Sequence, residues 1–322
     1  MIKKALIKSI LLLTLLGLIL SVLNPIFILK EGHRNKLYQG LYEHQGDSLD
    51  VVFLGSSHMI NSFNPNILWD KYGFTSFNYG TGGEPIDVTY YLLKEVLKFH
   101  DNPIVVIDLY YLGLTDEYGN EEYVRYVLDN MKMSVNKIDA IFHTTPSHNR
   151  LSFLLPILKY HGRWKELSEQ DFKFDVFSTY YAKGYSAGEN IYGKNNTFSN
   201  HTKETAEIPP KAKLYLDKII ELSKEEGFEL IFTLAPHDYN STLEIPSWHP
   251  EPAKMFNQVA EIAEDNNIPF INYNNLFDDL DFDFKTDMYN AGHMNIWGSN
   301  KINAHFGEFL HNNYHLPDHR KK

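Results

Sequence analysis

The hydrophobic pattern divides the chain into an apolar block, a polar spacer and a long region where short apolar runs alternate with helical periods. Lys3, Lys4 and Lys8 precede a nearly unbroken apolar run over residues 10–29, matching the ~20 residues a helix needs to cross a bilayer. The Leu23-Asn24-Pro25-Ile26 stretch lacks the small residues that a signal peptidase cuts after. Residues 1–30 are therefore expected to form an uncleaved signal-anchor helix. The basic flank holds the N-terminus in the cytoplasm, so everything after Lys30 lies outside it, on a single-pass cell-membrane protein. Residues 31–49 read as a polar stalk.

From residue 50 to 322 the pattern predicts one domain. Apolar runs at 51–54, 74–77, 104–109, 229–234 and 269–273 read as buried strands, and the one-sided apolar periods at 88–99, 211–226 and 252–265 as helices. Strands alternating with helices imply an α/β three-layer sandwich around a parallel sheet. The stretch from about 112 to 208 breaks the rhythm and reads as an insertion, with a helical piece at 153–160 and a Gly/Asn/Ser-rich run at 184–200. Within it, Tyr160-His161-Gly162-Arg163-Trp164 fits a substrate-binding patch, an interface or a packed aromatic loop. No internal repeat is visible.

Charge and cysteine content narrow the function. The net charge is −11, and because the first thirty residues hold four lysines and no acid, the rest carries −15. That balance argues against a nucleic-acid groove. With no cysteine, disulfides, thiolate zinc sites and a lipoprotein anchor are excluded. The spacing of His311, His315 and His319 is the one His-x-x-x-His pattern, but Pro317 interrupts any helix there, so a frayed, solvated tail is expected and no metal site. No cofactor is called for either, since no G-x-G-x-x-G follows the first strand.

In open α/β sheets, sites form beyond the carboxyl ends of the strands. Gly55-Ser56-Ser57-His58 follows the first predicted strand and Asn78-Tyr79-Gly80-Thr81-Gly82-Gly83 the second. The helix that follows Gly55-Ser56-Ser57 would aim its N-terminal amides at a developing oxyanion. About 230 residues later, His293 stands just before the final helix. A serine hydroxyl needs a neutral imidazole to take its proton, so Ser57 and His293 are the candidate nucleophile and base. His58, adjacent to the serine, is expected to support the site or face substrate, and His237, after the fourth strand, is an alternative base.

These segments resemble the SGNH (GDSL-like) hydrolases, and in particular their membrane-anchored extracytoplasmic acyltransferase and esterase branch. Gly55-Ser56-Ser57 is similar to the family's Gly-Asp-Ser motif, Gly80 stands where a glycine amide serves the oxyanion, and the segment ending at His293, with Met294-Asn295 and Gly298 after it, is similar to the last motif. The resemblance covers about residues 50–110 and 210–313 and implies a flavodoxin-like fold. It also implies serine-dependent O-acyl transfer or ester hydrolysis on a cell-envelope or exported polysaccharide. The partner it implies, by similarity to the teichoic-acid D-alanylation and alginate acetylation proteins, is a multi-spanning membrane-bound O-acyltransferase.

Three positions depart from the family. Asn290 stands where the family carries the acid that orients the base, leaving Asp287 as the preferred third member and Asn290 as the other candidate. No Gly-x-Asn-Asp follows the third strand, and Ser56 replaces the usual Asp, as in some anchored acyl-transfer members. A catalytically silent chain that binds a glycan or scaffolds the acyltransferase is the competing expectation.

Overall fold

The computed structural model describes residues 2–29, 40–42, 49–172, 182–197 and 202–321. Five strands, β1 (Val51–Leu54), β2 (Ser76–Asn78), β3 (Ile104–Asp108), β4 (Leu230–Leu234) and β5 (Phe270–Asn272), form one sheet in the order β2-β1-β3-β4-β5. Every pairing is parallel.

The helices are α1 (Ile2–Phe27), α2 (Ser57–Ser62), α3 (Pro65–Tyr72), α4 (Ile86–Val96), α5 (Glu121–Leu128), α6 (Val135–Thr144), α7 (Arg150–Leu154), α8 (Ile157–Tyr160), α9 (Pro210–Glu226), α10 (Tyr239–Thr242), α11 (Pro252–Asp265), α12 (Phe284–Asp287) and α13 (Ile296–Asn313). Because side chains alternate across a pleated strand, the sheet builds two cores. Val52, Leu54, Val105, Ile107 and Phe232 pack beneath Val88, Leu92, Leu216, Ile219 and Val259 of α4, α9 and α11. Val51, Phe53, Val106 and Ile231 pack on the other face against Leu68, Ile302, Phe306 and Leu310 of α3 and α13. A parallel sheet covered by helices on both faces is the expected three-layer α/β architecture, with continuous apolar strands as the reason.

Element limits shift where burial and pairing part company. The strand expected at 74–77 pairs only at Ser76–Asn78, since Phe74 is buried against α13's face without joining the ladder. The helical piece at 153–160 is two short helices, α7 and α8, because Pro156 supplies no amide for a continuous one. Of the expected stalk, residues 31–39 and 43–48 lie outside the described residues, as does Lys30 before it. Residues 40–42 are helical and not a polar spacer: Leu41 and Tyr42 join the core beneath α4, and Tyr42 Oη donates to Glu95 Oε1 at 3.0 Å. In the insertion, residues 173–181 and 198–201, which include part of the Gly/Asn/Ser-rich run, lie outside the described residues.

The C-terminal tail is also unlike the frayed end expected of it. The His319 N–H donates to Gly73 O at 3.1 Å, its ring meets Asp50 at 3.0 Å, and Arg320 reaches the Asp70 carbonyl. Those contacts fasten the tail to the C-terminal end of α3.

Helix α1 is long and apolar enough to span a membrane. Leu6, Ile10, Leu13 and Leu16 point away from all protein, an arrangement that water penalises and lipid does not.

At the start of α4, the buried Glu84 carboxyl accepts from Thr81 Oγ1 at 2.7 Å and Thr89 Oγ1 at 2.8 Å, tying the loop after β2 to that helix. Burial pushes Glu84 from 4.5 up to about 8. Its contribution to stability is therefore full below about 4.5 and is lost as pH rises through about 8. Glu84→Gln, uncharged at every pH, is expected to flatten the fall of Tm of the detergent-solubilised chain across that interval; parallel wild-type and variant curves would contradict the assignment.

Candidate active site

The order of the sheet makes β1 and β3 neighbours whose chains leave in opposite directions, one towards β2 and the other towards β4. A crevice opens at such a switch point, outside the carboxyl ends of the strands. Gly55 follows β1 with φ +138°, a value that side chains resist, and a Cβ there would stand 3.1 Å from Asp108 Cβ at the end of β3. Ser56 caps α2, its Oγ accepting the His58 N–H at 3.3 Å. Ser57 is thus the first residue of α2, where its own N–H has no acceptor within the helix.

Ser57 Oγ lies 2.8 Å from His293 Nε2. On the far side of the ring, His293 Nδ1 is 3.1 Å from Asn290 Oδ1, which also accepts the backbone N–H groups of Gly292 and His293 at 2.9 Å each. Two backbone donors identify that atom of the amide as its oxygen. Nδ1 must then carry the proton, and Nε2 is left with its lone pair facing the serine. Burial lowers the His293 pKa and keeps the ring neutral.

A short reversal sets this geometry. Met288 and Met294 pair across it, and Tyr289 N–H donates to His293 O at 2.8 Å. Asn295 fastens it from behind: Oδ1 caps α13 through the Trp297 and Gly298 amides, while Nδ2 donates to Thr286 O at 2.7 Å. The insertion braces the same turn where Ile296 N–H donates to Gly188 O at 3.0 Å.

The preferred third member, Asp287, is not at His293. It ends α12 on the other side of the reversal, where its Oδ2 accepts the Asp283 N–H at 2.8 Å and meets Lys301 Nζ at 2.7 Å. Those partners consume the carboxylate in joining α12 to α13, and Asn290 takes the orienting position.

Gly80 also differs from expectation. Its N–H donates to Asn78 Oδ1 at 3.0 Å and so is committed within its own loop. The Asn78 amide is held in turn by Met59 O and Phe63 O, at 2.8 and 3.0 Å. The α2 N-terminus, with the Ser57 amide, is the candidate oxyanion donor that the geometry leaves.

His58 is buried, and its ring stacks between His293, at 4.7 Å between centroids, and Tyr110, at 3.4 Å. Its Nδ1 is 3.2 Å from Ser56 Oγ. Burial first, and His293 second, hold its pKa well below the ordinary histidine value. It is a wall against the base and not an exposed substrate contact. His237 is fully buried, with Nδ1 at 2.9 Å from Ala235 O and a pKa lowered by burial to about 4. Asp238 caps α10 and accepts from Thr197 Oγ1 at 2.6 Å, so neither residue substitutes for the relay.

Asp108 is a further buried acid at this edge of the sheet, beyond the residues that the sequence marks. Its buried carboxyl accepts the Tyr110 N–H at 3.2 Å and the Ala235 N–H at 3.1 Å, joining the carboxyl ends of β3 and β4 under Gly55. Burial pushes it up to about 7. The signal available was an acid closing the otherwise apolar run Ile104-Val105-Val106-Ile107. Among the described residues, no group of three or more His, Asp or Glu could hold a metal ion.

No family model matches the chain, and no curated protein matches it. Among solved structures, a crystal structure of a "putative acylhydrolase" from Bacteroides fragilis aligns with 85% of this chain and 93% of its own, at 12% identity and a TM-score of 0.42. At that identity and superposition the likeness assigns no activity.

The relay makes Asn290 and Asp287 separable. Asn290→Ala removes the tautomer lock and is expected to lower ester turnover by about 10²-fold or more, the scale of general-base assistance. Asp287→Asn is expected to leave turnover within about threefold while lowering Tm by several degrees, as loss of a partly buried ion pair does. The reverse pattern would return the orienting role to Asp287.

Proposed function

We propose that this chain is a membrane-anchored serine-dependent acyl-ester enzyme that transfers or hydrolyses O-acyl groups on a cell-envelope or exported polysaccharide. The observation that carries the reading is the relay Ser57 Oγ to His293 Nε2 to Asn290 Oδ1, at 2.8 and 3.1 Å, at the switch point of a parallel sheet. His293 takes the Ser57 proton as the hydroxyl oxygen attacks the ester carbonyl, and the oxyanion forms at the N-terminus of α2. The proton then passes to the departing alcohol, leaving an acyl-serine. An incoming sugar hydroxyl or water gives its proton to His293 and takes the acyl group, which restores Ser57.

The extracytoplasmic side and the polysaccharide substrate are supported by Lys3, Lys4 and Lys8 ahead of α1 and by the resemblance of the serine and histidine segments to the anchored SGNH branch. A multi-spanning O-acyltransferase as acyl supplier rests on that same resemblance. A silent scaffold is the second reading, favoured by the commitment of the Gly80 amide to Asn78.

Ser57→Ala in the detergent-solubilised chain is expected to abolish both fluorophosphonate labelling and acetate release from a chromogenic ester, whereas Ser56→Ala retains a measurable rate. Wild-type protein that takes no label would favour the scaffold.

The acid limb of kcat/KM provides a second check. Because burial lowers the His293 pKa, the base stays neutral further into acid than an exposed histidine, so activity should fall only at pH below 6.5. A limb centred above 6.5 would contradict the role given to His293.

A further inference from the structure

The region around the end of α1 carries an observation that the active site does not use. Asn24 stands twenty residues after Lys4 along α1, a rise of about 30 Å at ~1.5 Å per residue, or the thickness of a bilayer's hydrocarbon core. With the lysines at one headgroup layer, Asn24 and Phe27 reach the opposite boundary. The folded domain holds α1 at that level: Asn24 Oδ1 accepts the Ile157 N–H at 3.2 Å, and Arg163 donates to Phe27 O while its other arm binds Asp171 at 2.8 Å.

The side chains next to those two contacts point outward. Leu158 is 47% exposed, Trp164 64% and Leu151 59%. Between Arg150 and Lys165 the chain carries four arginines and lysines and no acid, in a protein of net charge −11. Lys159 also meets Glu121, at 2.8 Å, and Lys165 lies over the Trp164 ring.

Resting on the reading of α1 as a span, we propose that residues 150–165 form a collar seated in the interfacial layer of the same bilayer, with Leu151, Leu158 and Trp164 among the lipid glycerol and upper acyl groups and the basic side chains that no carboxylate holds, Arg150 and Lys165, towards anionic headgroups. Tryptophan favours this layer because its ring is apolar and its N–H is polar. Basic side chains beside a span bind anionic lipid. The level is set by the two hydrogen bonds to α1, which leave the collar no other depth once α1 is inserted.

The chain has no cysteine, so single probes are clean. Leu13→Cys, Leu158→Cys, Trp164→Cys and Glu264→Cys, each labelled with an environment-sensitive fluorophore in the full chain, are reconstituted in phosphatidylcholine vesicles with phosphatidylglycerol. Spin-labelled lipid is expected to quench positions 13, 158 and 164 several-fold more than 264, and aqueous iodide to quench 264. Quenching of 13 but not of 158 and 164 by lipid would overturn the collar and leave the span standing. No lipid quenching at 13 would overturn both. Omitting phosphatidylglycerol is expected to weaken lipid quenching at 164, and equal quenching without it would overturn the role of the basic residues.

Discussion

The active edge depends on one constraint: β1 and β3 must end side by side although their chains depart in opposite directions. Asp108 holds that junction. Its carboxyl accepts an amide from the start of the β3 loop and another from the end of β4, and it stands close enough to residue 55 that only glycine fits with the required backbone angle. Gly55 in turn places the cap at Ser56, and the cap makes Ser57 the first residue of α2. The position of the Ser57 hydroxyl therefore follows from backbone geometry several residues away, which is why a short serine-bearing turn suffices to present it.

The relay behind His293 shows how an amide can stand where a carboxylate is expected. In serine proteases, replacing the triad's Asp by Asn lowers turnover about 10⁴-fold because the imidazole is left in the wrong tautomer. Here the Gly292 and His293 amides pin the Asn290 oxygen towards the ring, so the tautomer is correct. What is lost is the charge that would stabilise the imidazolium, not the orientation.

Much of this was legible in the sequence because it is local. Val51–Leu54, Ile104–Asp108 and Leu230–Leu234 are apolar runs that a covered parallel sheet requires, and α11 lies where its apolar period places it. Ser57 and His293 were identifiable because each sits next to the element that positions it. Asp287 and Asn290 were not separable, since both lie within a few residues of the base, and the Met288–Met294 pairing decides which of them faces it. Asp108 lies inside the strand expected at 104–109 and carries no signal of its partners there, and Gly80 is expected as a donor, because whether an amide is already bonded to a neighbour such as Asn78 depends on a fold that pattern does not encode.

The amide at Asn290 also bears on what the crevice tolerates. A relay ending in a carboxylate keeps a fixed negative charge behind the base, and at ~7 Å with an effective dielectric constant of ~20 that charge opposes an arriving anion by about 2 kcal/mol. Ser57, neutral His293 and Asn290 together set up no such field, and burial shifts Asp108 towards its protonated form, up to about 7. The relay itself therefore adds no fixed charge to a domain that is acidic overall, and an anionic ligand would meet less repulsion there than a relay ending in a carboxylate would impose.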